Sequence, residues 1–162
     1  MKPIGFISSP YKSLQGMPIQ PGGARDTQAT IRLDPELQQG LASLDTFSHI
    51  YLIYLFHQSR AYSLKVIPFM DDREHGVFAT RAPRRPNPIG LSIVELISVD
   101  GNTLTVRGAD LLDGTPILDI KPYVEQFDKI ESASNGWLKT SKEAVNRQKA
   151  DRRFLPPQEH KP

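Results

Sequence analysis

A chain of 162 residues is long enough for one domain. It contains no cysteine, which excludes a disulfide scaffold, thiolate catalysis and cysteine-bound metal, and its formal net charge is only +2. Fourteen prolines and eleven glycines favour a turn-rich β-fold over a helical bundle. No apolar run approaches the length of a membrane span, and the first residues lack the apolar core of a signal peptide. We therefore expect a cytoplasmic protein.

The first half of the chain predicts three strands and one short helix. Alternation of apolar and polar residues predicts strands over residues 2–8 and 28–33. Residues 50–56, IYLIYLF, form the most apolar segment, and their composition is typical of a strand that is buried on both faces. The sequence Asp-Pro-Glu at residues 34–36 has the order of an N-cap, a first helical residue and an early acid. It predicts a helix of one or two turns that ends at Gly40.

The second half continues the strand pattern and ends in a helix. Further strands are predicted over residues 63–69, 91–99, 103–107 and 117–124. A helix is predicted over residues 140–153, because Thr140 and Glu143 have capping-box spacing, and a disordered tail is predicted from Pro156. Strands dominate, and many connections are too short for helical crossovers. We therefore expect a mainly antiparallel sheet that closes into a barrel or packs as a sandwich.

The stretch GVFATRAPRRPNPIGLS, residues 76–92, concentrates prolines and arginines. Prolines fix their own φ and push the preceding residue towards extended geometry, so this stretch predicts a stiff loop. A stiff loop with hydrogen-bond donors favours a binding site, because little conformational entropy is left to lose. Arg81, the Asn87 side chain and the backbone around Gly90 can hold a planar adenine or a carboxylate. The structural alternative is a rigid turn that joins two strands.

A second candidate site lies in the segment DLLDGTPILDIK. It combines three carboxylates, a turn and a lysine: Asp110, Asp113, Gly114, Thr115, Asp119 and Lys121. Such a group can steady a cationic ligand, accept hydrogen bonds from a ribose or take up a proton. The alternative is a solvated hairpin in which the lysine neutralises a neighbour. His57 and Gln58, at the end of the apolar segment, form a third candidate, in which the histidine acts as acid, base or hydrogen-bonding prop.

Basic charge is concentrated in two places, which favours anionic partners such as nucleic acid. One is formed by Arg81, Arg84 and Arg85. The other lies near the C-terminus and comprises Lys139, Lys142, Arg147, Lys149, Arg152 and Arg153. For this second cluster the alternative is a solvated helix face with an ordinary basic tail. No pair of histidines has metal-ligand spacing and no dinucleotide-binding fingerprint is present, so we predict no metal site and no dinucleotide site.

Three blocks of the sequence together resemble the TsaA/TrmO family. They are FSHIYLIYLFH at residues 47–57, the stretch at residues 76–92, and DLLDGTPILDIKPY at residues 110–123. The resemblance covers roughly residues 1–138, so we divide the chain into a barrel domain, 1–138, and a basic helix and tail, 139–162. Relatives often read ATRSPFRPNP where this chain has Ala82 and Arg84. Bacterial tRNA enzymes of the family carry an additional C-terminal domain, where we expect one basic helix instead.

The resemblance implies a small, predominantly antiparallel β-barrel that binds S-adenosylmethionine. It implies a homodimer with the cofactor near the subunit interface, and a tRNA substrate that is N6-methylated at threonylcarbamoyladenosine beside the anticodon. The implied cofactor contacts are Gln20, His57, Gln58, Arg81, Leu91, Asp113, Gly114, Thr115 and Pro116. From the chemistry of its side chain, we add Asn87 to this set.

Methylation of such a nitrogen also needs a proton acceptor and substrate contacts. The urea-like nitrogen is a weak nucleophile, so we expect Asp119, Tyr123 or His57 to take its proton. Arg84, Arg85 and Lys121 are expected to bind the substrate. Two other functions remain open at this point: a methyltransferase of the same fold that acts on a small molecule or another RNA, and a non-catalytic module that binds S-adenosylmethionine or RNA.

Overall fold

The computed structural model describes residues 1–155, and this part of the chain contains eight strands and two α-helices. The strands are β1 Gly5–Ser8, β2 Gln28–Leu33, β3 His49–Leu55, β4 Lys65–Val66, β5 His75–Gly76, β6 Ile89–Asp100, β7 Thr103–Arg107 and β8 Pro116–Pro122. The helices are α1 Glu125–Asp128 and α2 Lys142–Arg147. Short 3-10 turns occupy Pro21–Ala24, Pro35–Leu41, Leu44–Thr46 and Val77–Ala79.

Six strands close into a barrel. They follow the order β1-β2-β7-β6-β3-β8, with β8 pairing back onto β1, and each neighbouring pair is antiparallel. Closure leaves these strands without an unpaired edge. β4 and β5 form a separate two-stranded ladder. The expected mainly β fold, a small antiparallel barrel with short helices, is confirmed.

The core fills the barrel because apolar residues alternate along its strands. In β2, Ala29, Ile31 and Leu33 are buried while the residues between them are exposed. The same alternation buries Ile50 and Leu52 of β3, whereas the intervening residues of β3 are only half-buried. The expectation that this strand is buried on both faces is therefore wrong. In an antiparallel barrel one face packs on the core and the other lies on the outside.

The elements predicted over residues 63–69 and 140–153 are less than half as long as expected. The strand predicted over residues 63–69 is only β4, because it pairs with nothing beyond the two residues of β5. The helix predicted over residues 140–153 is only α2. Its N-cap is Ser141, whose Oγ accepts a hydrogen bond from the Ala144 amide at 3.2 Å, so the Thr140 capping box is wrong. The tail predicted from Pro156 lies outside the described residues.

The segment after α2 folds back onto the barrel. α2 packs against the Pro21–Ala24 turn, and Lys149 forms an antiparallel bridge with Pro18. The Ala150 amide donates to the carbonyl of Met17 at 2.7 Å. The last described residues therefore lie beside the long loop that precedes β2. No helix within residues 1–155 is long and apolar enough to cross a membrane.

Candidate ligand-binding site

A cavity of about 340 Å³ lies where the barrel meets its loops. Its lining is mostly apolar. The buried part of the lining comes from the end of β3, the start of β6, the segment between β7 and β8, and Met17 in the loop before β2. The remainder comes from the loop before β2, the segment between β3 and β4, the loop of residues 77–88 and the end of the described chain. Five stretches that are distant in sequence, 14–20, 54–59, 80–91, 110–115 and 150–155, thus meet around one space together with Phe69.

A chain of hydrogen bonds joins two residues of the lining, Tyr54 and Asp110, through the buried Ser92. The Ser92 hydroxyl donates to Asp110 Oδ1 at 2.7 Å, and the Tyr54 hydroxyl lies 3.2 Å from Ser92 Oγ. Burial raises the pKa of the Asp110 carboxyl to about 6, against a partial lowering by the Ser92 hydrogen bond. Burial also raises the pKa of the Tyr54 hydroxyl. The cavity therefore contains a carboxylate that is a stronger base than an ordinary aspartate.

Gly90 makes room for the Tyr54 ring. The two residues are paired across β3 and β6. A Cβ atom on residue 90 would lie 2.8 Å from the Tyr54 hydroxyl oxygen and closer still to two carbons of its ring. Only glycine fits the observed position of Tyr54, so the close backbone approach predicted at Gly90 serves a protein side chain.

The arginines of the loop at residues 77–88 have different surroundings. Arg81 is exposed at the cavity and donates to Gln20 Oε1 at 3.1 Å. Arg85 also lines the cavity, but its Nη1 donates to the carbonyls of Val77 at 3.0 Å and Thr80 at 2.8 Å. Arg85 therefore braces its own loop as well as facing the cavity.

The end of the described chain forms one wall of the cavity. Ala150, Asp151, Phe154 and Leu155 all line it. Phe154 packs against the edge of the Phe69 ring at a centroid distance of 5.0 Å. The segment is also held by two arginines: Arg84 donates to the carbonyl of Leu155 at 3.1 Å, and Arg153 donates to the carbonyl of Pro68. Arg84, a predicted substrate contact, thus ties this wall in place.

The aspartate-rich turn lies partly outside the cavity. Asp113 accepts a hydrogen bond from the Ser9 amide at 2.9 Å and pairs with Lys12 Nζ at 2.7 Å. The Lys12 contact is the main reason that its carboxyl pKa is lowered. Of the turn residues predicted to contact a cofactor, Thr115 lines the cavity, whereas Asp113, Gly114 and Pro116 do not.

Other predicted site residues lie on the outer face of the barrel. Asp119, Ile53 and Leu91 are in register across β8, β3 and β6, so their side chains share one face. Asp119 pairs with Lys121 at 2.9 Å. The Tyr123 ring, just after β8, packs on the rings of Tyr51 and His49 of β3. Among these residues only Leu91 also lines the cavity, and it is 50% exposed. Asn87 is exposed and is not part of the lining.

His57 and Gln58 line the cavity just after β3. Burial lowers the pKa of the His57 ring, so it is neutral at neutral pH and has a nitrogen free of a proton. Of the three predicted proton acceptors, only His57 is part of the cavity. Within residues 1–155, no group of three or more histidines and carboxylates is placed to hold a metal ion.

Sequence reasoning missed Tyr54, Ser92 and Phe154, and it named Asp110 only as one of three carboxylates that can steady a cation, accept from a ribose or take up a proton. A signal was present for the first two, because the alternation along residues 50–56 and 91–99 places both inside the barrel. No local pattern indicates that Phe154 reaches the cavity, since its neighbours there are distant in sequence.

Fold and site together define a class: a closed β-barrel whose loops enclose a mostly apolar cavity with a few polar groups, as in small-molecule binding sites. Residues 6–129 match the family model described as the tRNA-methyltransferase O N-terminal domain. The chain belongs to this family, and the predicted resemblance to TsaA/TrmO is confirmed.

Individual relatives agree with this family. The chain is 48% identical over 154 residues to a probable S-adenosyl-L-methionine-binding protein of Pyrococcus abyssi, covering 95% of this chain and 84% of the relative. It is 35% identical over 140 residues to a mouse tRNA (adenine(37)-N6)-methyltransferase, covering 82% of this chain and 32% of the relative. A crystal structure of TrmO matches with a TM-score of 0.72 and 44% identity, over 83% of this chain and 61% of that one. The chain thus spans about three fifths of that structure and about a third of the mouse enzyme.

Proposed function

We propose that this protein is an S-adenosylmethionine-dependent methyltransferase that acts on tRNA in the cytoplasm. One observation carries the proposal. Six of the residues expected to contact the cofactor come from distant parts of the chain and line the same cavity: Gln20, His57, Gln58, Arg81, Leu91 and Thr115. Membership of a tRNA-methyltransferase family supports the reaction class.

The residues present fit an adenosyl cofactor. The cavity volume of about 340 Å³ lies within the range of roughly 300–1,000 Å³ that is usual for small-molecule sites. Met17, Phe56 and Leu111 offer apolar surface to a planar base. Gln20 and Arg81 offer donors to hydroxyl and carboxylate groups, and Arg81 is held towards the cavity by its hydrogen bond to Gln20.

When bound, S-adenosylmethionine supplies an electrophilic methyl group on a sulfonium whose positive charge disappears as the methyl group is transferred. The apolar walls exclude water from the reacting atoms, and the rim residues fix their orientation, which can contribute several kcal/mol. A strong ion pair to the positive charge would stabilise the ground state preferentially. The carboxylates Asp113 and Asp119 have cationic partners of their own, Lys12 and Lys121.

The proposed substrate is threonylcarbamoyladenosine beside the anticodon, and the methyl acceptor is its N6 nitrogen. tRNA carrying this nucleoside should be incubated with the protein and S-adenosylmethionine, digested, and analysed by mass spectrometry. A new threonylcarbamoyladenosine species, heavier by one methyl group, is the expected result. Binding of S-adenosylmethionine without any methylated tRNA would refute the tRNA activity. It would favour a small-molecule substrate, another RNA or a non-catalytic binding module.

The proposal includes a homodimer. Leu91 and Ile93 on the outer face of β6 are 50% and 39% exposed, and Tyr51 and Ile53 of β3 lie beside them in register. This outer face adjoins the cavity through Leu91. A second copy placed there would bring Asp119 and Tyr123 close to a cavity, which neither residue lines within one chain. The expectation that Asp119 or Tyr123 takes the substrate proton therefore requires such a dimer.

The dimer is tested with Ile93→Glu, which places a charge on this face without altering a cavity residue. We expect the wild type to sediment as a dimer in analytical ultracentrifugation and the variant as a monomer, because an unpaired charge in an apolar interface is costly. Ile130→Glu is the matched control, since Ile130 is 77% exposed and lies outside the barrel strands. A monomeric wild type would refute the dimer.

A further inference from the structure

Asp110 is a carboxylate of the cavity to which neither the family resemblance nor the proposed function assigns a role. It is half-buried and lies next to the buried lining residues Leu111 and Leu112. The other carboxylate of the lining, Asp151, is exposed at the rim and is bound by Arg153 at 2.8 Å. Asp110 thus lies beside the buried part of the lining, and none of the ion pairs formed by residues 1–155 includes it.

The hydrogen bonds around Asp110 have a fixed direction. Ser92 has one hydroxyl proton, and it donates that proton to Asp110 Oδ1 at 2.7 Å. The contact of 3.2 Å between the two hydroxyls therefore requires Tyr54 to donate to Ser92 Oγ. The raised pKa keeps Tyr54 protonated as a donor. Both hydroxyls thus point their protons towards the carboxylate, which stabilises its ionised form and leaves it able to act as an acceptor.

Burial, rather than the charge of neighbouring groups, favours a base at this position. Burial raises the pKa of Asp110 to about 6, so the group is ionised at neutral pH yet binds a proton more readily than an exposed aspartate. Several titratable or charged groups face the same cavity: Tyr54 from β3, His57 after it, Arg81 and Arg85 from the loop of residues 77–88, and Asp151 from the end of the described chain. Of these, Arg81 acts on Asp110 by lowering its pKa slightly.

We propose that Asp110 is the proton acceptor of this site. The substrate nitrogen forms its new bond to the methyl carbon as the carbon–sulfur bond breaks, and the electron pair of that bond stays on the sulfur. The nitrogen loses its N–H proton to the Asp110 carboxylate, which later releases the proton to water. This assignment rests on the proposed function, and it places the acceptor within one chain.

The experiment compares Asp110→Asn with the wild type and with Asp100→Asn as a control. Asp100 is exposed at the opposite end of β6 from the cavity. Single-turnover methylation of tRNA carrying threonylcarbamoyladenosine is followed between about pH 5 and pH 9, with S-adenosylmethionine affinity measured by calorimetry. We expect the Asp110→Asn rate to fall about 100-fold or more, as for loss of a general base. We expect its cofactor Kd to stay within about threefold of the wild type, and the wild-type inflection at acidic pH to be lost.

A second readout does not depend on activity. In ligand-free protein labelled with ¹³C at aspartate carboxyls, one resonance should titrate well above the ordinary aspartate range, be absent from Asp110→Asn and move to higher pH in Ser92→Ala. The methylation assay and the ¹³C titration must both give the expected result for the assignment to stand. It is overturned if Asp110→Asn methylates as fast as the wild type, if the rate keeps its inflection, or if the variant loses cofactor affinity instead of rate. A wild type that methylates nothing refutes the proposed function and this assignment together, whereas the other failures refute only the assignment.

Discussion

Replacing Asp110 by asparagine is expected to stabilise the folded protein at neutral pH. Asparagine has nearly the same shape and can still accept the Ser92 hydrogen bond, but it carries no charge to bury. Burial raises the carboxyl pKa from 3.8 to about 6, a change of about two units. At about 1.4 kcal/mol per unit, the buried charge costs up to about 3 kcal/mol of folding free energy.

The sign of the pH dependence follows from the raised pKa. Between about pH 4 and pH 6 the folded state holds a proton on Asp110 that the unfolded state has released. The stability of the wild type therefore falls as pH rises through this window, relative to a variant without the carboxyl group. The variant's advantage in the free energy of unfolding should be small near pH 4 and reach its full value above about pH 7.

Urea unfolding measures this difference, with Trp137 fluorescence and circular dichroism as two probes of the same transition. Wild type and variant are compared at each pH, so the contributions of other titrating groups to the free energy of unfolding largely cancel. Asp100→Asn should show no comparable gain. The reasoning would be refuted if Asp110→Asn were no more stable than the wild type near pH 8, or if its advantage were the same at pH 4. A gain in stability together with a loss of activity is the pattern expected of a functional buried charge.

Two further variants test the packing of the cavity. Gly90→Ala should cost about 2 kcal/mol or more, because the added methyl group displaces the Tyr54 ring, whereas Gly40→Ala, which meets no atom within 4 Å, should be close to neutral; urea unfolding compares the two. Phe154→Ala should remove about 1–2 kcal/mol, since Phe154 is only half-buried, and should weaken S-adenosylmethionine binding about fivefold or more in calorimetry. The exposed Arg152→Ala is its control, and equal cofactor affinity in both variants would contradict the role of this wall.

The strands with a strict alternation could be predicted from the sequence, whereas the strands that they pair with in the barrel could not. The ranges of β2 and β7 were predicted to the residue, because each alternates and is bounded by turn residues. Closure of the barrel depends on register between β1 and β8, which are more than a hundred residues apart, and no local pattern encodes it. The barrel could therefore be favoured from sequence, but its strand order could not be derived.

The candidate site was predictable where its chemistry is local. His57 stands out because it directly follows the apolar residues 50–56, and Arg81 because it lies in the proline-rich loop that precedes the strand predicted over residues 91–99. Arg84 shows the limit: its partner, the Leu155 carbonyl, is 71 residues away, so its part in holding the cavity wall could not be read from the loop alone. Asp110 shows the same limit, since its raised pKa comes from burial in the folded chain, which the residues next to it in sequence do not reveal. Chemistry that depends on contacts distant in sequence needs the three-dimensional structure.

Leu91 lines the cavity and is also exposed on the outer face of β6, so ligand binding and subunit contact at this residue are coupled. In the proposed dimer, a ligand that orders the Leu91 side chain changes the surface offered to the second subunit, and a subunit that covers Leu91 changes the wall offered to the ligand. The coupling between two binding events is reciprocal. The factor by which cofactor binding changes the dimer affinity is therefore the factor by which dimer formation changes the cofactor affinity. Cofactor concentration would then control the assembly state of the protein, and dilution would control its apparent affinity for the cofactor.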